Sequence, residues 1–105
     1  MVHVGHRHRV VAAREIQRAR FAGRSDVHAN AHMRPRDIRE FCRIGEESDA
    51  LLRRAINRLG FSARAYHRIL KIARTIADLG GAREIATPHV AEAIQYRSLD
   101  RLMRG

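Results

Sequence analysis

The sequence predicts an all-α domain, a single small bundle of about five helices. Three observations carry that prediction. Apolar residues recur at three- and four-residue intervals through most of the chain. Glycine, proline and helix-capping residues break those runs at lengths of roughly 8 to 20 residues, as helix boundaries do. Nowhere does the chain alternate apolar and polar residues as a half-buried strand would.

With 105 residues, the chain is one domain or a piece of a larger protein. A chain of this size buries only roughly two-thirds of its unfolded surface, so a helical core is feasible and a large enclosed active site is not. A hydrophobic fraction of 45% argues against wholesale disorder.

Met1 to Arg9 (MVHVGHRHR) has no amphipathic period and is expected to be a disordered N-terminus, with residues 10–102 forming the helical domain. His3, His6 and His8 lack carboxylate or cysteine partners there, so a fixed metal site is not expected. Arg9 to Ala22 then carries Val10, Ala13, Gln17 and Phe21 on one stripe, with Val11 and Ile16 beside it. Gly23 to His32 is polar and turn-rich, a connection.

Pro35 suits the first turn of a short helix, RPRDIREFCR, with Ile38, Phe41 and Cys42 facing inward. Glu46 to Leu59 has acids in its first turn, where the helix dipole favours them, and Leu51, Leu52, Ala55, Ile56 and Leu59 at helical spacing. Gly60 closes it. Ser62 is placed as the N-cap of the next helix, Ala63 to Leu79, and Gly80-Gly81 as its stop. Thr87 and Pro88 suit an N-cap and first helical position for PHVAEAIQYR, with Val90, Ala91, Ile94 and Tyr96 as candidates for its buried side.

The formal net charge is +10, and all but one of the 21 basic residues are arginine, Lys71 being the exception. An anionic partner follows from that balance: nucleic acid, nucleotide phosphate or an acidic protein surface. The lone cysteine, Cys42, excludes an internal disulfide and fits a reducing, cytoplasmic setting. No apolar run approaches the roughly 18 residues of a membrane helix, so no membrane partner is expected.

The helix over 63–79 is the most two-faced of the set. Ala65, Tyr66, Ile69, Leu70, Ile72, Ala73, Ile76, Ala77 and Leu79 fill one arc, while Arg64, His67, Arg68, Lys71, Thr75 and Asp78 fill the opposite one. Arg68 and Lys71 read as a solvated face. Arg64 differs because it lies in the first turn, where a cation gains nothing from the helix dipole. An arginine beside the free N–H groups of a helix start can grip a phosphate with them.

The run SARAYHRILKIARTIADLGG, followed by HVAEAIQYR at 89–97, resembles the C-terminal domain of the magnesium-chelatase-related AAA+ ATPases of the ComM/YifB type. Upstream, Val11, Ala13-Arg14, Gln17 and Arg20 match the family's V-x-AR-x-x-Q-x-x-R helix. Asn30 matches an asparagine in the following loop, and Phe41-Cys42 a short helix after it. The likeness covers residues 10 to 102.

It implies a small helical lid that follows a Lon-like domain and an ATP-binding core in a longer protein. ATP and magnesium would be bound mainly by that core, since these 105 residues contain no GxxxxGK[ST] phosphate loop. No catalytic residue is expected here, and the chain alone is not expected to hydrolyse ATP. Arg64 matches the sensor-2 arginine of such lids, which reaches the terminal phosphates of bound nucleotide, with Arg68 a weaker candidate. The implied partners are the core of the same protein and neighbouring subunits of a ring, in a motor associated with DNA processing in competence.

A different class of reading is a free-standing helix-turn-helix, in which 46–59 and 62–79 present Arg64, His67, Arg68 and Lys71 to a major groove. The connection is short for that, and the polar face offers no Asn or Gln to read adenine. DNA binding by this chain is expected to be weak and independent of sequence, with aromatic stacking groups scarce. Thr75 and Asp78, on the polar edge, are expected to hold the lid against its core. Cys42, on an apolar face, reads as a buried thiol.

Overall fold

The computed structural model describes the backbone of residues 2–104 and the side chains of residues 7–103. Five α-helices follow one another: α1 (Val2–Arg20), α2 (Pro35–Phe41), α3 (Glu46–Leu59), α4 (Ala63–Leu79) and α5 (Thr87–Arg104), with a short 3₁₀ turn at Asn30–His32 before α2. The described residues contain no strand.

The bounds of α3 and α4 fall where the sequence places them, because each ends in a glycine that leaves the helical path. Gly60 takes a left-handed backbone at φ +69°, and its amide bonds back to Ile56. After Gly80, Gly81 turns left-handed at φ +70°. A Cβ at Gly60 would meet nothing within 4 Å, so only the backbone conformation resists substitution. Gly60→Ala is therefore expected to cost about 1–2 kcal/mol through the left-handed penalty, without a packing defect. Urea unfolding checks this; a neutral result would mean that the α3–α4 turn relaxes freely.

Other bounds differ. Residues 2–9 continue α1 rather than forming a disordered end, since elongation of an existing helix needs only one bond per residue and no proline intervenes. Arg7, His8 and Arg9 are exposed on it; the side chains of His3 and His6 lie outside the described residues. α5 runs two turns past Arg97. Thr87 is its first helical residue instead of the N-cap: the Ala86 carbonyl accepts from His89 N and Val90 N, while Ala86 N donates to His89 Nδ1 at 2.9 Å. Thr87 Oγ1 instead shares a 2.8 Å hydrogen bond with the buried Ser48 Oγ, tying the start of α5 to that of α3.

α4 is the centre of the molecule, packing against each of the other helices and the 3₁₀ turn. Its Ile69, Leu70, Ala73 and Ala77 are buried with Leu52 of α3 and with Val90, Ala93 and Ile94 of α5. Each large side chain so buried contributes about 1.5–3 kcal/mol. Phe21 meets Phe41 edge-on at 5.6 Å, closing α1 onto α2.

Four expected core positions face water: Val11 and Ile16 on α1, Leu59 on α3 and Tyr96 on α5. On α1 the buried side follows Ala13, Gln17 and Phe21, and Val11 and Ile16 flank that stripe too widely to join it. The supposed connection at 23–32 also supplies core: Val27 is fully buried and Asn30 nearly so. A single valine in a polar run carries no period by which it could be found.

Asp37 fastens this connection to α2. Its Oδ1 accepts from Arg24 NH1 at 2.7 Å and its Oδ2 from the Arg34 amide at 3.0 Å, with the residue 2% exposed. The Arg24 guanidinium foremost, then the Arg34 amide, hold the carboxyl below the usual carboxylate range. A depressed folded-state pKa adds stability that is complete above the unfolded value of about 4 and is lost as pH falls through the folded value. Asp37→Asn should thus lower the urea midpoint at neutral pH, with the gap from the parent chain narrowing as pH falls below about 4. A gap that stays constant would remove the carboxylate from the account.

Candidate functional site

The two ends of α4 differ in chemistry. At its start, Ser62 has the extended backbone of an N-cap, but its side chain makes no capping bond. The Ala65 amide reaches the Ser62 carbonyl at 2.9 Å, which leaves the amides of Ala63 and Arg64 without a backbone acceptor among the described residues. Arg64 is exposed there, and its guanidinium has no hydrogen bond or ion pair within the described residues. Arg68, one turn on, is exposed as well.

Lys71 differs from both, its Nζ donating to the Ala31 carbonyl at 3.3 Å. His67 is half-buried, its ring set against Tyr66. The expected cation row therefore holds as a surface feature at Arg64 and Arg68 and is partly engaged beyond them.

A firm support stands under this helix start. The Tyr66 hydroxyl donates to Asp49 Oδ1, and Arg53 Nε donates to Asp49 Oδ2 at 2.8 Å while its guanidinium lies over the Tyr66 ring. Hydrogen bonds from Tyr66 and then Arg53 keep the Asp49 carboxyl low, while burial and the bond to Asp49 push the Tyr66 phenol up. These contacts join α3 to the first turns of α4 and fix the direction in which Arg64 leaves the domain.

At its other end α4 is locked from inside. Asp78 is 1% exposed, which corrects its assignment to an outward edge. Arg20 of α1 grips it with a two-pronged fork, NH1 to Oδ2 and NH2 to Oδ1, both at 2.8 Å. Asn30 Nδ2 donates to Oδ2 at 2.8 Å and Arg74 Nε to Oδ1 at 3.2 Å. Asn30 also donates to Thr75 Oγ1 through its side chain, accepts from Arg20 through its side-chain oxygen, and donates its backbone N–H to Gln17 Oε1.

Arg74, 5% exposed, spends its remaining donors on the carbonyls of Phe41, Ala82 and Arg83. The ion pairs and amides of this cluster join α1, the 3₁₀ turn, the end of α2, α4 and the α4–α5 loop. Thr75 is half-buried within it, so the distinctive ARTIADL run is occupied by internal contacts.

Arg74 escaped the sequence analysis because a lone arginine between Ala73 and Thr75 has no signature of burial until its acceptors are known. Arg20 and Asn30 were legible only as matched family positions, and Gln17 as one of these and as a member of the α1 stripe. Cys42 is buried, and its burial pushes the thiol up to about 11, the chemistry of an inert core sulfur.

A central arginine-rich helix, locked at one end and presenting a free arginine at the other, is the arrangement in a domain whose sequence matches a known family. Residues 4–97 match the model of the magnesium chelatase subunit ChlI C-terminal domain. Relatives include the competence protein ComM of Haemophilus influenzae, 45% identical over 98 residues, and the YifB protein of Escherichia coli, 41% identical over 95. The YifB protein of Salmonella typhimurium is 39% identical over 95 residues. These matches cover 90–93% of this chain and 18% of each relative. The chain belongs to this family, as a C-terminal domain of the ComM/YifB type.

No helix among the described residues is long and apolar enough to cross a membrane.

Proposed function

We propose that this domain is the nucleotide-responsive lid of a ring-forming ATPase of the ComM/YifB type, and that Arg64 is its contact with the terminal phosphates. The observation that supports it most is the contrast along α4. Arg74 is saturated by internal acceptors, whereas Arg64 stands exposed and unpaired beside two free amides. That donor set suits the oxygens of a phosphate: the guanidinium supplies a fork and the helix start supplies N–H groups and a favourable dipole. Magnesium and the rest of the nucleotide would fall to the ATP-binding core of the longer protein, which the present chain, at 18% of the length of its relatives, does not span.

In this reading the lid works by position. The Tyr66–Asp49–Arg53 contacts hold the start of α4 to α3, and the Asp78 cluster holds its end to α1. A pull on Arg64 would therefore turn the domain as one body against the core or a neighbouring subunit of the ring. The chain alone would not hydrolyse ATP. The printed name of the Haemophilus relative, a competence protein, fits a motor that handles DNA.

The helix-turn-helix reading gains no support from the geometry. α4 packs against the four other helices, and its open side presents Arg64, His67, Arg68 and Lys71 with no Asn or Gln to read a base edge. Steady-state ATP turnover by the longer protein, with Arg64 and Arg68 replaced in turn, tests the proposal.

A further inference from the structure

The last turns of α5 carry an apolar surface that nothing among the described residues covers. Tyr96, Leu99 and Met103 are 59%, 60% and 88% exposed. At about 100° per residue they share the side of α5 opposite Val90 and Ile94. Leu102, 78% exposed, widens this face. Leu99, Leu102 and Met103 lie beyond residue 97, the last that the family model matches.

Tyr96 also borders a groove of about 690 Å³ between α4 and α5. Ile72, Ile76 and Leu79 line it with apolar surface; Arg68, Lys71 and Arg97 bring three cations against one acid, Asp100, which pairs with Arg97 and leaves the charge of Arg68 and Lys71 in excess. Arg97 pairs with Asp100, NH1 to Oδ2 at 3.3 Å, and its buried Nε has no acceptor among the described residues.

We propose that this groove and the adjoining α5 face dock an amphipathic helix with acidic flanks, supplied in trans by a partner protein. Apolar surface continued by a row of exposed side chains fits the helix-in-groove mode, in which anchors at i, i+3, i+4 and i+7 enter together. The cations on the groove select the sign of the flanking charge. A second copy of this chain fits poorly, because two chains of net charge +10 would meet with like-charged rims. The four exposed side chains also fall short of the roughly 800 Å² per partner that a stable interface buries. The inference is independent of the nucleotide reading and is tested without nucleotide.

The probe is a fluorescein-labelled synthetic helix of about 18 residues, with leucines at that spacing and glutamates on both flanks. Its mate carries lysine in place of glutamate. Anisotropy with the whole 105-residue chain should show the glutamate peptide binding about tenfold more tightly than the lysine peptide, and more weakly as salt is raised. The pair Tyr96→Ser with Leu99→Ser should weaken binding about tenfold while the melting temperature holds, since both residues are exposed. Arg68→Glu with Lys71→Glu should narrow or reverse the preference between the two peptides.

Equal affinity for both peptides, no binding of either, or binding indifferent to Tyr96 and Leu99 would overturn the proposal. So would dimerisation in sedimentation that Leu99→Ser abolishes, which would assign the face to a second copy. Flotation with anionic lipid vesicles, lost in the same variant, would assign it to a membrane surface.

Discussion

Asp78→Ala should destabilise the isolated domain by about 3–5 kcal/mol, the usual cost of removing one partner from a buried ion pair. The carboxylate accepts from Arg20, Arg74 and Asn30 at once; Arg74 and Asn30 are buried, and the Arg20 side chain is only 11% exposed. Its loss leaves two guanidiniums facing each other inside the protein, so repulsion adds to desolvation. Asp78→Asn separates charge from shape. It keeps the volume yet cannot accept the Arg20 fork at both atoms, and should lose most of the same stability.

Arg20→Ala should cost less than Asp78→Ala, because Arg74 and Asn30 remain to satisfy the carboxylate. Denaturant unfolding of the three variants, compared in a double-mutant cycle with Arg20 and Asp78, measures the coupling. A loss for Asp78→Ala under about 1 kcal/mol would show that the cluster is replaceable by water and does not hold α4 to α1.

The same cluster marks where the sequence was readable and where it was not. Gly60 and Gly81 fixed the ends of α3 and α4 because a left-handed backbone admits few other residues. The apolar arc of α4 was legible for a similar reason: the arc of Ile69, Leu70, Ala73 and Ala77 has a period that can be counted. Burial of charge has no such period. Asp78 lies on the polar arc of its own helix, yet α1 and the 3₁₀ turn close over it and bring Arg20 and Asn30 from 58 and 48 residues away.

Long-range acceptors of that kind can be known only after folding. Tyr96 shows the reverse error: it sits at helical spacing with apolar neighbours, but α5 outruns the core, and its far side meets no other helix. At the candidate site, the exposure of Arg64 was foreseeable from its first-turn place. The saturation of Arg74, against which its freedom stands out, was not.

Arg64→Ala should divide the two levels at which this residue could act. In the isolated chain, stability should change by no more than about 0.5 kcal/mol, since an exposed arginine without a partner holds nothing together. In the longer protein, the same substitution should slow ATP turnover by about one order of magnitude or more, the scale on which removal of a charge clamp from a transferring phosphoryl group is felt. Arg64→Lys should recover part of the loss, because a point charge replaces the fork without its geometry. Arg68→Ala should do less, as its side chain starts one turn further from the free amides of Ala63 and Arg64. Thermal melts of the isolated variants and steady-state turnover of the longer ones decide the matter together. Normal turnover in Arg64→Ala, or equal losses in Arg64→Ala and Arg68→Ala, would reduce the cations at the start of α4 to a solvated surface.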